Sequence, residues 1–161
     1  MSRIALPRHR FVPRILAAAA LTLAGCVAAG PTAGPAQAQG RGEPIVLMNN
    51  KGGNVLQAIS RREDLARSGR PVEVRGYCRS ACTIYITLPN ACLGPGATVG
   101  FHAPRIPGTT IVPPIVDQLM AQYYRGGILR KWQNEWRHSL EMSKISAAEY
   151  KRLDPEVRIC K

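Results

Sequence analysis

The chain has 161 residues, of which 22 are Lys or Arg and 10 are Asp or Glu, so its formal net charge is +12. This length allows one ordinary domain and excludes a multidomain machine. The apolar fraction of 45% excludes wholesale disorder, and the aromatic fraction of 6% argues against a base-stacking surface for single-stranded nucleic acid.

The N-terminal segment has the pattern of an export signal. It opens with basic residues and no acids, and an alanine-rich apolar stretch follows over residues 15–29. This stretch is shorter than the roughly 20 residues of a bilayer span and suits the apolar region of a signal peptide. We therefore expect residues 1–25 to be a signal peptide and the protein to be periplasmic.

Two cleavage sites fit this leader. Residues 23–26, Leu-Ala-Gly-Cys, have the pattern of a bacterial lipobox, in which the leader is removed before Cys26 and the thiol is lipidated. The alternative is an Ala-x-Ala site that ends at Ala38 and would release an unlipidated form. Without the four arginines of the leader, 18 basic residues face 10 acids and the charge falls to +8. A periplasmic protein of this charge is expected to contact an anionic membrane or the cell envelope, not nucleic acid.

The cysteines predict two disulfides. Setting Cys26 aside leaves the even set Cys78, Cys82, Cys92 and Cys160, as expected in an oxidising compartment. A Cys78–Cys82 bridge is disfavoured if both lie on one continuous helix, so pairing of Cys82 with Cys92 or Cys160 is favoured. The alternatives are a thiol nucleophile at Cys78 or Cys82 and a zinc site, but the spacing lacks a second close pair, so no metal is expected.

Apolar runs and breakers divide the mature chain into a flexible tether over 26–43 and a folded domain over 44–161. In chain order, the pattern predicts a strand at 45–48, a helix at 55–66, a strand at 71–74, a helix at 80–88, a loop at 89–96, a strand at 98–101, an irregular loop at 103–114, and helices at 115–124 and 128–140. A capping box at 146–149 opens a last helix. This alternation predicts a single α/β domain with right-handed crossovers.

Three segments carry residues suited to nucleophilic catalysis. Ser80 lies where a strand meets a helix, so its hydroxyl would project from a sharp turn beside unpaired backbone N–H groups. His102 follows a strand and opens a loop, a position where α/β proteins place working residues. The turn at Gly52 and Gly53 offers further N–H donors without side chains in the way.

Together, segments 49–55, 78–82 and 96–102 resemble the proteolytic subunit of Clp-type serine proteases, and most closely the exported Clp-protease-like proteins of bacteria, within the crotonase-like superfamily. The resemblance covers roughly residues 45–155. It implies Ser80 as the nucleophile, His102 as the general base, and the backbone N–H groups of Gly53 (or Gly52) and Ala81 as the oxyanion hole. The acid position of the family falls on Met142; Glu141 is adjacent and Asp154 lies downstream, and both remain candidates.

The resemblance implies an exported serine hydrolase, peptidase-like and without a cofactor, that acts on peptide or protein substrates and forms a homo-oligomer. No ATPase partner is implied, because an exported protein meets no cytoplasmic ATP. Family members carry more chain before the first Gly-Gly turn, so the sheet is expected to be truncated on its N-terminal side or completed by a partner subunit. The alternative is a non-catalytic, membrane-tethered binding or assembly module of the same fold.

Overall fold

The structure is a computed structural model that describes residues 42–161. The predicted signal peptide, the lipidation site at Cys26 and the alternative cleavage after Ala38 lie outside these residues. Among the residues described, no helix is both long enough and apolar enough to cross a bilayer.

The described chain is a mixed α/β structure, as predicted. Its elements in order are β1 (Ile45–Met48), α1 (Val55–Arg67), β2 (Val72–Arg75), β3 (Tyr77–Arg79), a 3₁₀ helix (Ser80–Tyr85), β4 (Ala91–Leu93), β5 (Thr98–Phe101), α2 (Pro114–Ala121), α3 (Gly126–Asn134), a 3₁₀ turn (Trp136–His138), β6 (Ser143–Ser146) and α4 (Ala147–Leu153). They form two three-stranded sheets, with strand orders β1-β2-β4 and β3-β5-β6.

The first β-α-β unit forms as the sequence predicts. The Asn54 side chain caps α1 by accepting a hydrogen bond from the Gln57 N–H at 3.1 Å, which satisfies one of the free donors at the helix start. Gly69, with φ of +63°, lies just beyond the end of the helix and takes a conformation that suits glycine. The chain returns into β2, which pairs in parallel with β1.

The strand pattern beyond β2 is richer than predicted. Gly76, with φ of +65°, separates β2 from β3 and transfers the chain from the first sheet to the second. The prediction of a loop over 89–96 missed β4, which has only three residues and therefore no readable alternation. The sequence pattern also did not predict β6. Its last residue, Ser146, caps α4 by accepting a hydrogen bond from the Glu149 N–H at 3.1 Å, as the capping box predicted.

The predicted helix over 80–88 is instead a 3₁₀ helix that ends at Tyr85. All residues from 81 to 85 are buried, so this segment is a short connection through the core, without the polar face of a surface helix. The predicted helix over 128–140 ends at Asn134, because Glu135 leaves helical geometry with φ of −129°. The next three residues form the separate 3₁₀ turn.

An aromatic cluster anchors the end of β5. The Phe101 ring stacks on Trp136 with 4.2 Å between ring centroids, and meets Tyr124 edge-on at 5.7 Å. Tyr124 in turn packs against Trp132, which is fully buried. Aromatic pairs in these geometries add to the free energy gained by burial. They fix the backbone immediately before His102.

The structure contains the disulfides Cys78–Cys82 and Cys92–Cys160. The prediction that Cys82 pairs with Cys92 or Cys160 is therefore wrong. It assumed a continuous helix, whereas Cys78 lies in β3 and the chain turns at Ser80, which brings the Cα atoms of Cys78 and Cys82 to 5.5 Å. Cys160 instead meets Cys92, because the C-terminal tail runs beside β4 and the Cys160 N–H donates to Leu93 at 2.9 Å.

Candidate active site

Ser80 occupies a strained turn at the end of β3. Its φ of +52° lies in the left-handed region, which costs a residue with a Cβ about 1–2 kcal/mol. The Ser80 carbonyl accepts a hydrogen bond from the Thr83 hydroxyl at 2.7 Å, and that hydroxyl also bonds the buried Tyr124 hydroxyl at 2.6 Å. The Cys78–Cys82 disulfide spans the turn. The surroundings thus hold Ser80 in an unfavourable conformation, as is common at functional sites.

Sheet register brings His102 to the same edge as Ser80. β3 and β5 are parallel neighbours, with Arg79 opposite Gly100. Ser80 therefore lies one residue beyond the paired ends of the two strands, and His102 lies two residues beyond. No hydrogen bond joins the Ser80 hydroxyl to the His102 ring in this structure. Catalytic hydrogen bonds of this kind often shorten only when substrate is bound.

A backbone carbonyl fixes the orientation of His102. Its Nδ1 lies 2.8 Å from the Ala103 carbonyl oxygen. Because a carbonyl only accepts, Nδ1 carries the proton and Nε2 keeps the lone pair that a general base needs. Ala103 is itself held, since its N–H donates to the Ser139 carbonyl at 2.7 Å.

The structure does not bring a carboxylate to His102. Among residues 42–161, no Asp or Glu oxygen lies within ion-pair distance of the His102 ring; Glu141 is exposed on the segment before β6. Asp154 is buried, and both of its carboxylate oxygens accept from Arg125, at 2.8 and 2.9 Å. Met142 lies beside Gly100, where its Sδ would be 2.7 Å from a Cβ. The partner of His102 Nδ1 is thus the Ala103 carbonyl and not a carboxylate.

The Gly52–Gly53 turn packs directly against the Ser80 turn. A Cβ at Gly52 would lie 2.6 Å from the Arg79 carbonyl oxygen and 2.7 Å from the Ala81 nitrogen. The Gly52 N–H donates to the Asn50 side chain at 2.8 Å and is therefore occupied. Within the described chain, the N–H groups of Gly53 and Ala81 have no protein acceptor. These two donors, on adjoining turns, form the candidate oxyanion hole.

Two asparagines that the sequence interpretation treated only as turn residues join these segments. The Asn49 side chain accepts from the Tyr77 N–H at 2.9 Å, and the Asn50 carbonyl accepts from the Arg79 N–H at 3.1 Å. They tie the end of β1 to β3, one strand from each sheet. An Asn-Asn pair immediately after an apolar strand was the available signal, because Asn side chains bond backbone groups at turns.

We expect Gly52→Ala to destabilise the fold by about 2 kcal/mol, because the added methyl meets backbone at a φ of +79°. Urea denaturation measures the change. Gly96→Ala is the matched control: its Cβ would meet nothing within 4 Å, and we expect a change within about 0.5 kcal/mol. Equal stability of the two variants would show that the two turns do not pack as described.

Burial lowers the pKa of His102 below the usual value for histidine. The hydrogen bond to the Ala103 carbonyl opposes this shift, and the charges of Arg79 and Arg105 add to it. Only neutral imidazole can accept the serine proton, so the reaction rate should rise with pH through this pKa and then stay level. We expect the rate of fluorophosphonate labelling to reach half its maximum below about pH 6.5. A midpoint above that value would contradict a buried, neutral His102.

The comparisons with known proteins assign the chain to no family. No family model matches the chain, and no curated protein matches it.

Proposed function

We propose that the protein is an exported serine hydrolase, peptidase-like and related to Clp-type proteases. Ser80 attacks an acyl carbonyl, and His102 Nε2 accepts the serine proton and returns it to the leaving group. Water then hydrolyses the acyl-enzyme, with His102 again acting as the base. The reaction needs no cofactor.

The observation that carries this proposal is the strained turn at Ser80, which lies at the same sheet edge as His102 and against Gly52. A residue with a Cβ at φ of +52° costs free energy that ordinary capping does not require, since a helix N-cap has extended geometry. The Ser80 turn lies against the Gly52–Gly53 turn, and the N–H groups of Gly53 and Ala81 would donate to the oxyanion of the tetrahedral intermediate.

The position of the Ala103 carbonyl supports a Ser–His pair without a carboxylate. An orienting acid fixes the tautomer of the base and stabilises the imidazolium that forms. The Ala103 carbonyl fixes the tautomer, but its dipole stabilises the imidazolium less than the full charge of a carboxylate would. We therefore expect a slower hydrolase than one with a complete triad.

Export is the remaining part of the proposal. The two disulfides are compatible with an oxidising compartment. The leader and the lipobox at Cys26 favour a periplasmic protein anchored by lipid, with release after Ala38 as the alternative. In either form, an unfolding ATPase has no role.

The second candidate is a non-catalytic binding module of the same fold. It is favoured by the missing hydrogen bond between Ser80 and His102 and by the absence of a carboxylate at His102 in the described chain. In this case the turn at Ser80 would be a structural joint between the two sheets.

Fluorophosphonate labelling of the purified protein separates the two candidates. We expect wild-type protein to be labelled and Ser80→Ala to remain unlabelled, while Ser60→Ala, which removes an exposed serine of α1, is labelled like the wild type. Labelling that survives Ser80→Ala, or no labelling of the folded wild type, would favour the binding module.

A further inference from the structure

The solvent face of the second sheet carries cations next to Ser80. Register places Arg79, Gly100 and Lys144 side by side on three neighbouring strands, with Tyr77 on the same face of β3 as Arg79. The residues between them along each strand, including Cys78 and Val99, point to the other side and are buried. We call Tyr77, Arg79 and Lys144 the cationic face.

Both cations converge on one ring. The Arg79 guanidinium carbon lies 5.8 Å from the centroid of the Tyr77 ring, and Lys144 Nζ lies 5.9 Å from it. Gly100 has no side chain, and the space beside it is lined by Met142 Sδ and the Tyr77 hydroxyl, 2.7 Å and 3.0 Å from where a Cβ would stand. Two cationic side chains therefore lie against the same aromatic ring.

These charges lack acidic partners in the described chain. Of the 17 basic residues there, six form ion pairs with carboxylates, and Arg79 and Lys144 are among the 11 that form none. The nearest acid to Lys144 in the sequence is Glu141, which precedes β6 and pairs with neither cation. A bound anion would supply the countercharge that the described chain does not give these two side chains.

We propose that the cationic face binds an acidic side chain of a peptide substrate, so that Asp or Glu is preferred near the bond that Ser80 cleaves. This inference rests on the proposed hydrolase function. Arg79 directly precedes Ser80, so a carboxylate held there belongs to a residue close to the attacked carbonyl. Arg79 and Tyr77 are half-buried, which suits a single carboxylate better than a planar layer of lipid head groups.

Peptide binding to the Ser80→Ala variant tests the inference without requiring catalysis. Fluorescence anisotropy would compare a labelled peptide of alternating Glu and Ala with its Gln and Lys counterparts, at low and high salt. We expect the Glu peptide to bind most tightly, and its affinity to fall at least about fivefold in Arg79→Glu/Lys144→Glu. Added salt should weaken this binding.

Arg61→Glu/Arg130→Glu is the matched control, since both residues are exposed, lie outside the cationic face and give the same change in net charge. The control should bind the Glu peptide like the parent. Arg79→Gln/Lys144→Gln, checked for folding by circular dichroism, should also lose affinity. Equal losses of affinity in both charge-reversed variants, or no preference for the Glu peptide over the Gln peptide, would overturn the inference. It would also be overturned if the variants changed binding to anionic lipid vesicles but not binding to the Glu peptide. Peptide binding without labelling of Ser80 would uphold the face and refute the hydrolase.

Discussion

Replacing His102 by alanine should slow acyl transfer at Ser80 by about a hundredfold to ten-thousandfold, the usual contribution of a general base. His102 Nε2 has the free lone pair at the edge where Ser80 lies, because Nδ1 donates to the Ala103 carbonyl. Without the imidazole, the serine hydroxyl would have to lose its proton to water. The measurement is the second-order rate of fluorophosphonate labelling, followed by the turnover of an activated ester.

His138→Ala provides the control. His138 is exposed, and its Nε2 lies 3.1 Å from the Gln133 carbonyl oxygen. This variant should react like the wild type, and added imidazole should restore part of the rate only in His102→Ala. Unchanged labelling of the His102 variant would show that another group activates the serine.

Removing the Cys92–Cys160 disulfide should lower the free energy of unfolding by about 4 kcal/mol, on a loop-entropy model and a sequence separation of 68 residues. The bridge also holds the tail against β4, so its loss frees that edge of the first sheet. Urea denaturation of Cys92→Ala/Cys160→Ala measures the effect. Cys78→Ala/Cys82→Ala opens a loop with a separation of only 4 and should cost about 2 kcal/mol.

The Cys78–Cys82 disulfide should matter less for stability than Cys92–Cys160 but more for the reactivity of Ser80. Cys78–Cys82 encloses the Ser80 turn, so its loss should reduce labelling more than loss of Cys92–Cys160 does in protein that is still folded. If thiol counting in denaturant finds Cys78, Cys82, Cys92 and Cys160 all free in the purified protein, neither bridge forms and both expectations fail.

The β1-α1-β2 unit could be predicted because its signals are local. A short apolar run, an Asn cap and a glycine stop act within a few residues of one another. β3 and β4 have three residues each and could not be read from alternation; each is defined by its pairing with a neighbouring strand of its own sheet. The cysteine pairing failed for a related reason, since it depended on a turn at Ser80 that the pattern indicated as the start of a helix.

The site residues could be proposed from residue type and spacing, whereas the contact that orients His102 could not. Ser80 and His102 have chemically distinctive side chains, and Gly52 is distinctive because it has none. The Ala103 carbonyl that orients His102 belongs to the backbone, which every residue possesses, so no sequence pattern marks it. The expectation of an acid at Glu141 or Asp154 came from resemblance, and Asp154 bonds Arg125 instead.

The most direct test of the central claim is a crystal structure of the fluorophosphonate-treated protein. We expect a phosphonyl group bonded to the Ser80 hydroxyl oxygen, with one phosphonyl oxygen about 3 Å from the N–H groups of Gly53 and Ala81. His102 Nε2 should face the adduct while Nδ1 keeps its bond to Ala103. An adduct on any other residue, or a phosphonyl oxygen turned away from both N–H groups, would contradict the account.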